Sequence, residues 1–182
     1  MSIRVEATSL PGVVIIEPPV FGDSRGHFKE LFKEASYAEI GVDSQFVQDN
    51  FSRSIRGVLR GLHFQVNTPQ GKLVSCLRGS VFDVAVDIDP SSPTYREWVG
   101  VELSDENHRQ LWIPPGYAHG FCVLSESADF FYKCTAPYDP TDEAGIFWAD
   151  ESIGVEWPVR SPSLSDKDVA LPTLADFWAS RQ

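Results

Sequence analysis

About ten short runs of apolar or alternating residues, most of them bounded by glycine or proline, divide this sequence, and few folds accommodate such punctuation. Val13–Glu17 ends at Pro18-Pro19, and Phe46–Ser52, Arg56–Gln65 and Trp98–Leu103 follow with strand-like spacing. Leu111–Ile113, Gly120–Leu124, Ala128–Cys134 and the short Ile153–Trp157 continue the pattern. Lys72–Leu77 and Val81–Ile88 flank Arg78-Gly79-Ser80 and predict a hairpin. Gly22-Asp23-Ser24 predicts a turn opening into a strand that reaches Glu30. Helical spacing is confined to Lys33–Ile40, stopped by Gly41, and to Leu174–Ser180. Many short strands and little helix predict an all-β sandwich or barrel.

No internal repeat, low-complexity tract or linker divides the 182 residues, so one domain with a sizeable core is expected. Against 15 basic side chains stand 26 acidic ones, and the net charge of −11 repels nucleic acid and anionic membranes. An anionic ligand therefore needs a local cationic pocket. No apolar run is long enough for a membrane span, and the first residues lack the basic-then-apolar order of a signal peptide. Cys76, Cys122 and Cys134 are odd in number and lack CxxC spacing, which predicts reduced, buried thiols in a cytoplasmic protein.

The segment Arg56-Gly-Val-Leu-Arg-Gly-Leu-His-Phe-Gln65 carries the first chemical signal. In a regular strand Val58, Arg60, Leu62 and Phe64 point one way, and Leu59, Gly61, His63 and Gln65 the other. Arg60 and His63 share a pocket only if a bulge or twist intervenes, which Gly57 and Gly61 permit. Gln48-Asp49-Asn50 places three adjacent polar residues in a strand, as suits a polar cavity or a sheet edge. Pro114-Pro-Gly-Tyr-Ala-His119 is a stiff turn that delivers His119 at the head of a strand. Asp83 and Asp87 share one strand face with Val81 and Ala85.

Two of these segments resemble the motifs of the cupin jelly rolls: Gly61-Leu-His63 with Gly79 downstream, and Pro114–His119 as PxGxxH. Metal-binding cupins place HxH and a nearby glutamate in the first motif, where this chain has His63-Phe64-Gln65. His63 and His119 alone are too few ligands, so no catalytic metal is expected. Longer matches follow in order: Gln48-Asp-Asn50, Gly57–His63, Gln70-Gly-Lys72, Gly79–Asp87, Trp112–Gly120 and Leu164-Ser-Asp-Lys-Asp168. Together they resemble the dTDP-4-dehydrorhamnose 3,5-epimerases, metal-free cupins, over Val13 to about Asp168.

The resemblance implies a single cupin-type double-stranded β-helix over residues 1–182 with short peripheral helices, and N-terminal strands exchanged in a homodimer. It implies an isomerase that inverts C3 and C5 of dTDP-4-dehydro-6-deoxy-D-glucose through enolates, without a cofactor. It makes His63 the base, Asp168 its dyad carboxylate, Tyr132 the proton donor and Lys72 the cation for the enolate oxygen. Arg25, Arg60, His119 and Lys167 are then the cations for diphosphate and sugar. Glu30, Gln48, Asp49, Asn50 and Glu143 match substrate-binding positions, and Tyr138 the aromatic that stacks on thymine. Arg25 and Glu30 would enter the neighbouring subunit's site.

Phe51, His27 and Phe64 depart from the histidine, aromatic and tyrosine that the family often has there; none is a catalytic position. The sequence leaves a C3- or C5-only epimerase, a 3,4-ketoisomerase and a non-catalytic sugar-binding cupin as alternatives, with a metal-dependent dioxygenase last.

Overall fold

The computed structural model describes residues 2–181. The alternating runs pair into two antiparallel sheets packed face to face. One has the order β1 (Arg4–Ala7), β2 (Val14–Glu17), β10 (Gln110–Ile113), β7 (Lys72–Arg78), β12 (Ser127–Cys134) and β5 (Gln48–Ile55). The other runs β13 (Glu143–Gly145), β6 (Leu59–Gln65), β11 (Tyr117–Val123), β8 (Ser80–Asp87) and β9 (Trp98–Ser104). A separate hairpin, β3 (Val20–Asp23) with β4 (Gly26–Lys29), pairs only with itself. Three short helices are peripheral: α1 (Glu34–Ala38), α2 (Asp166–Val169) and α3 (Leu174–Ala179). This is the cupin-type jelly roll expected from the motifs.

Three apolar clusters explain why some strands alternate and others are apolar throughout. Between the sheets, Val74, Cys76, Val81, Ala85, Leu103, Phe121 and Phe130 interdigitate from both inner faces. The Phe121 and Phe130 rings stack with centroids 4.1 Å apart, which adds roughly 1 kcal/mol to their burial. A second cluster covers the back of β6, β8 and β11, where Leu62, Val84, Val86 and Ala118 meet Ile146, Ile153, Leu174 and Phe177. A third lays the α1 segment, through Tyr37 and Val42, over Ile16, Leu73 and Trp112. Strands β7 and β8 are thus buried on both faces, whereas β5 at a sheet edge alternates cleanly.

Three expectations change, and one further strand appears. Lys72–Leu77 and Val81–Ile88 do not form a hairpin: β7 pairs with β10 and β12, and β8 with β9 and β11. The turn at Gly79 instead carries the chain from one sheet to the other. Ile153–Trp157 is not a strand; it crosses the second cluster as turn and coil, with the Trp157 indole donating to the Trp148 carbonyl at 2.8 Å. The turn expected at Gly22-Asp23-Ser24 falls two residues later and joins two strands rather than opening one. Arg4–Ala7 forms an edge strand that its exposed residues gave no apolar pattern to reveal. The three cysteines are buried free thiols, as expected.

Candidate active site

At one end of the inter-sheet space the inward positions turn from apolar to polar. Along β12 the inner face runs Ala128, Phe130, Tyr132, and along β11 it runs Val123, Phe121, His119. Lys72 continues the inward row of Val74 and Cys76 on β7. The residues that close the core at one end thus open a cavity at the other. One half, about 280 Å³, is lined by Arg60, His63, Lys72, His119, Tyr132, Lys167 and Asp168. The adjoining half, also about 280 Å³, shares His63, Lys72 and Tyr132 and adds Gln48, Asn50, Tyr138 and Glu143.

Arg60 and His63 reach one cavity through a β-bulge. In the register of β6 on β11, His63 faces His119 and Arg60 faces Phe121, so two residues, Gly61 and Leu62, oppose the single Gly120. The extra residue reverses the alternation between them. The backbones meet closely there: a Cβ on Gly61 would lie 2.6 Å from Gly120 Cα and 2.8 Å from the His119 oxygen.

His63 Nε2 donates to Asp168 Oδ1 at 2.6 Å, and Ser165 Oγ donates to Asp168 Oδ2 at 2.9 Å. Ser165 also caps α2 by accepting from the Asp168 backbone N–H at 3.1 Å. Burial acts to raise the Asp168 pKa, but the hydrogen bond and charge of His63, with Ser165 and Lys167, hold it below the ordinary aspartate value. By linkage the pair contributes stability above the ordinary value of 3.8, lost as pH falls through the lower folded value. With Nε2–H committed to Asp168, Nδ1 remains as the basic nitrogen.

A second histidine–carboxylate pair lies deeper. His119 Nε2 donates to Asp83 Oδ2 at 2.9 Å, and its ring lies parallel over Phe130. Burial pushes this imidazole below its usual range, against the pull of Asp83 and helped by Lys72 and His63. Burial also lowers the Lys72 ammonium, opposed by Cys134, Asp83 and Glu143; its Nζ reaches the His63 carbonyl at 3.5 Å. Burial raises the Tyr132 phenol, which keeps it protonated. Because Lys72 is buried against its charge, Lys72→Met is expected to raise stability by roughly 1–3 kcal/mol. Thermal denaturation checks this, and a lower melting temperature would count against a charge held there at the expense of the fold.

Toward the mouth, Glu143 accepts from the Tyr138 hydroxyl at 2.7 Å and from Lys167, tying the loop after β12 to α2. Burial acts to raise the Glu143 carboxyl, and the Lys167 and Tyr138 hydrogen bonds outweigh it to leave the pKa lowered. Gln48 accepts from the Tyr138 backbone N–H at 2.7 Å and donates to Asn50 at 2.9 Å. Arg60 donates from Nε and Nη2 to Ser54 Oγ at 3.2 and 3.1 Å.

Three expected site residues stand elsewhere in the chain. Asp49 falls on the outer face of β5, by strand alternation, and accepts from Lys133 at 2.6 Å. Arg25 lies at the tip of the β3–β4 hairpin, 87% exposed and paired with Asp23. Glu30, just after β4, faces a different hollow beside Pro19 and Tyr37. Asp83, Ser52, Ser165, Gln65 and Gln70 were not singled out as site residues, although all but Asp83 line the cavity. Two signals for them were present: a carboxylate between Val81 and Ala85 on one strand face for Asp83, and the Ser165-x-x-Asp168 capping spacing. Among the described residues no group of three or more His, Cys, Asp or Glu side chains is placed to hold a metal.

Known proteins share this architecture. A family model described as dTDP-4-dehydrorhamnose 3,5-epimerase matches residues 7–176. The dTDP-4-dehydrorhamnose 3,5-epimerase of Shigella flexneri is 57% identical over 169 residues, 92% of this chain and 93% of the relative. The crystal structure of a dTDP-6-deoxy-D-glucose-3,5-epimerase from Legionella pneumophila, in complex with dTDP-4-keto-L-rhamnose, superposes with a TM-score of 0.93. It is 52% identical, and the match covers 95% of this chain and 93% of that one. A 4-keto-6-deoxy sugar epimerase from the novobiocin cluster of Streptomyces spheroides reaches 0.95 at 37% identity, over 100% of this chain and 92% of its own. Agreement of this extent, in sequence and in backbone, has one explanation: the chain belongs to the dTDP-4-dehydrorhamnose 3,5-epimerase family.

Proposed function

We propose that this protein is a cytoplasmic isomerase that epimerises dTDP-4-dehydro-6-deoxy-D-glucose at C3 and C5, giving dTDP-4-dehydro-L-rhamnose. The observation that carries the reading is one cavity faced from opposite sheets by a carboxylate-backed base, His63, and a half-buried phenol, Tyr132, with Lys72 beside His63. Each inversion removes a proton from a carbon next to the ketone and returns one to the other face. His63 Nδ1 takes the proton, and Asp168 stabilises the imidazolium that forms. Lys72 meets the negative charge developing on the ketone oxygen. Tyr132 delivers the second proton, its burial keeping the phenol protonated until then. The ketone itself acidifies the C–H bonds, so the reaction asks for no cofactor.

Arg60 and Lys167 take the diphosphate, His119 the sugar, and Tyr138 the thymine ring at the mouth, with Gln48, Asn50 and Glu143 supplying hydrogen bonds. The protein works as a homodimer whose N-terminal strands are exchanged, so that Arg25 and Glu30 serve the partner subunit's cavity. Support comes from the self-paired β3–β4 hairpin, whose Phe28 is 67% exposed. The outer face of β5, with Phe51 and with Ile55 at 68% exposure, offers an apolar surface for it. The three reduced thiols support the compartment.

Incubation with substrate in deuterated water, followed by NMR, tests the reaction: deuterium is expected at both C3 and C5. Label at a single carbon would reduce the activity to a mono-epimerase, and none at either would remove the reading.

A further inference from the structure

Strand β5 turns Gln48, Asn50, Ser52 and Ser54 inward, and three of the four are held by protein groups. Gln48 binds Tyr138 and Asn50, Asn50 reaches the Cys134 sulfur at 3.5 Å, and Ser54 accepts from Arg60. Ser52 differs. Its Oγ is buried, and among the described residues it is the one buried side-chain polar atom without a hydrogen-bond partner. It lines the half of the cavity that holds Arg60, His63 and Lys167.

A buried hydroxyl left unpaired is destabilising, and folded proteins keep few of them. Retention of one inside a ligand cavity is expected where a ligand supplies the missing partner. The neighbouring Arg60 indicates its charge. Its guanidinium is held by a neutral serine rather than by a carboxylate, so its positive charge is oriented and not cancelled. An acceptor placed before Arg60 and within reach of a serine donor is an anionic oxygen. Ser52 and Ser54 are two positions apart on one strand face, roughly 7 Å along it, close enough to serve one diphosphate.

We propose that Ser52 donates a hydrogen bond to a phosphate oxygen of the nucleotide sugar, and that Ser54 is the positioning residue that aims Arg60 at the same diphosphate. The assignment rests on the nucleotide-sugar reading given above and adds two residues to it.

Calorimetric titration of dTDP into the unsubstituted protein and into Ser52→Ala tests it, with the melting temperature of each unliganded protein measured alongside. Ser52→Ala is expected to bind dTDP roughly tenfold or more weakly, as loss of a hydrogen bond to a charged group implies. Its melting temperature should be no lower than wild type, because the deleted hydroxyl has no protein partner. Turnover should show the loss in KM, with kcat nearly unchanged. Equal dTDP affinity in both proteins overturns the role of Ser52 while leaving the nucleotide-sugar reading in place. A weakened affinity accompanied by a lower melting temperature overturns it too, since the hydroxyl would then be structural. Failure of the wild type itself to bind dTDP removes the underlying reading and this assignment with it.

Discussion

His63→Ala lowers the exchange of substrate C–H protons with solvent by about a thousandfold or more, while the protein remains folded. The size follows from the proposed role: removal of a general base costs about 10²–10⁴ in rate, and in that role the same group serves both carbons. The fold should survive because His63 is part-exposed and Asp168 keeps its bonds to Ser165 when the imidazole is gone. A stability loss on the order of 1–2 kcal/mol is expected, from the carboxylate that loses its donor. Proton exchange followed by NMR, with circular dichroism as the control, separates the two effects. Free imidazole added to the variant should restore part of the exchange, since the space and Asp168 are both still present. Undiminished exchange in the variant would remove His63 as the base.

The second large effect is on the fold. Gly61→Ala places a Cβ against two backbone atoms of the neighbouring strand, at 2.6 and 2.8 Å, at a φ of +122° that other residues rarely adopt. The nearest atoms are all backbone of that strand, which leaves nothing flexible to yield. A loss of at least roughly 3 kcal/mol follows, which for a chain of this length lowers the melting temperature by about 10 °C. Gly57→Ala is the internal comparison: its φ is also positive at +78°, but its Cβ would meet nothing within 4 Å. That variant should lose only about 1 kcal/mol. Scanning calorimetry of the two side by side checks the bulge, and equal melting temperatures would contradict the close approach of Gly61 and Gly120.

How legible this was from the sequence differs by the kind of interaction. Strand existence was readable wherever one face is wet, as on β5, or where glycine and proline bound an apolar run. Strand partners were not: Arg78-Gly79-Ser80 looks the same whether it closes a hairpin or turns a corner between sheets, because periodicity within a strand is silent about its neighbour. β1 was missed because its residues are exposed, so no apolar pattern marks it. Individual side chains of the site divide similarly. His119 was placed by its proline-rich turn, and Lys72 and Tyr132 by the family resemblance. Asp168 lies 105 residues beyond its histidine, and only the motif that contains it gave it a role. Alternation sends Asp49 outward, away from the face of Gln48 and Asn50. At Arg60 and His63 it pointed to opposite faces, and a single extra residue on β6 reverses it.

The division of the strands between two facing sheets has a consequence for the proposed chemistry. It puts the proposed base on one layer and the proposed acid on the other: His63 belongs to the five-stranded sheet and Tyr132 to the six-stranded one. The two layers then act as the jaws of a caliper whose opening is fixed by what fills the space behind the cavity, chiefly the stacked rings of Phe121 and Phe130. In the proposed reaction these jaws grip a sugar ring by its two faces, and the gauge of that grip is cut by residues that touch no proton in flight.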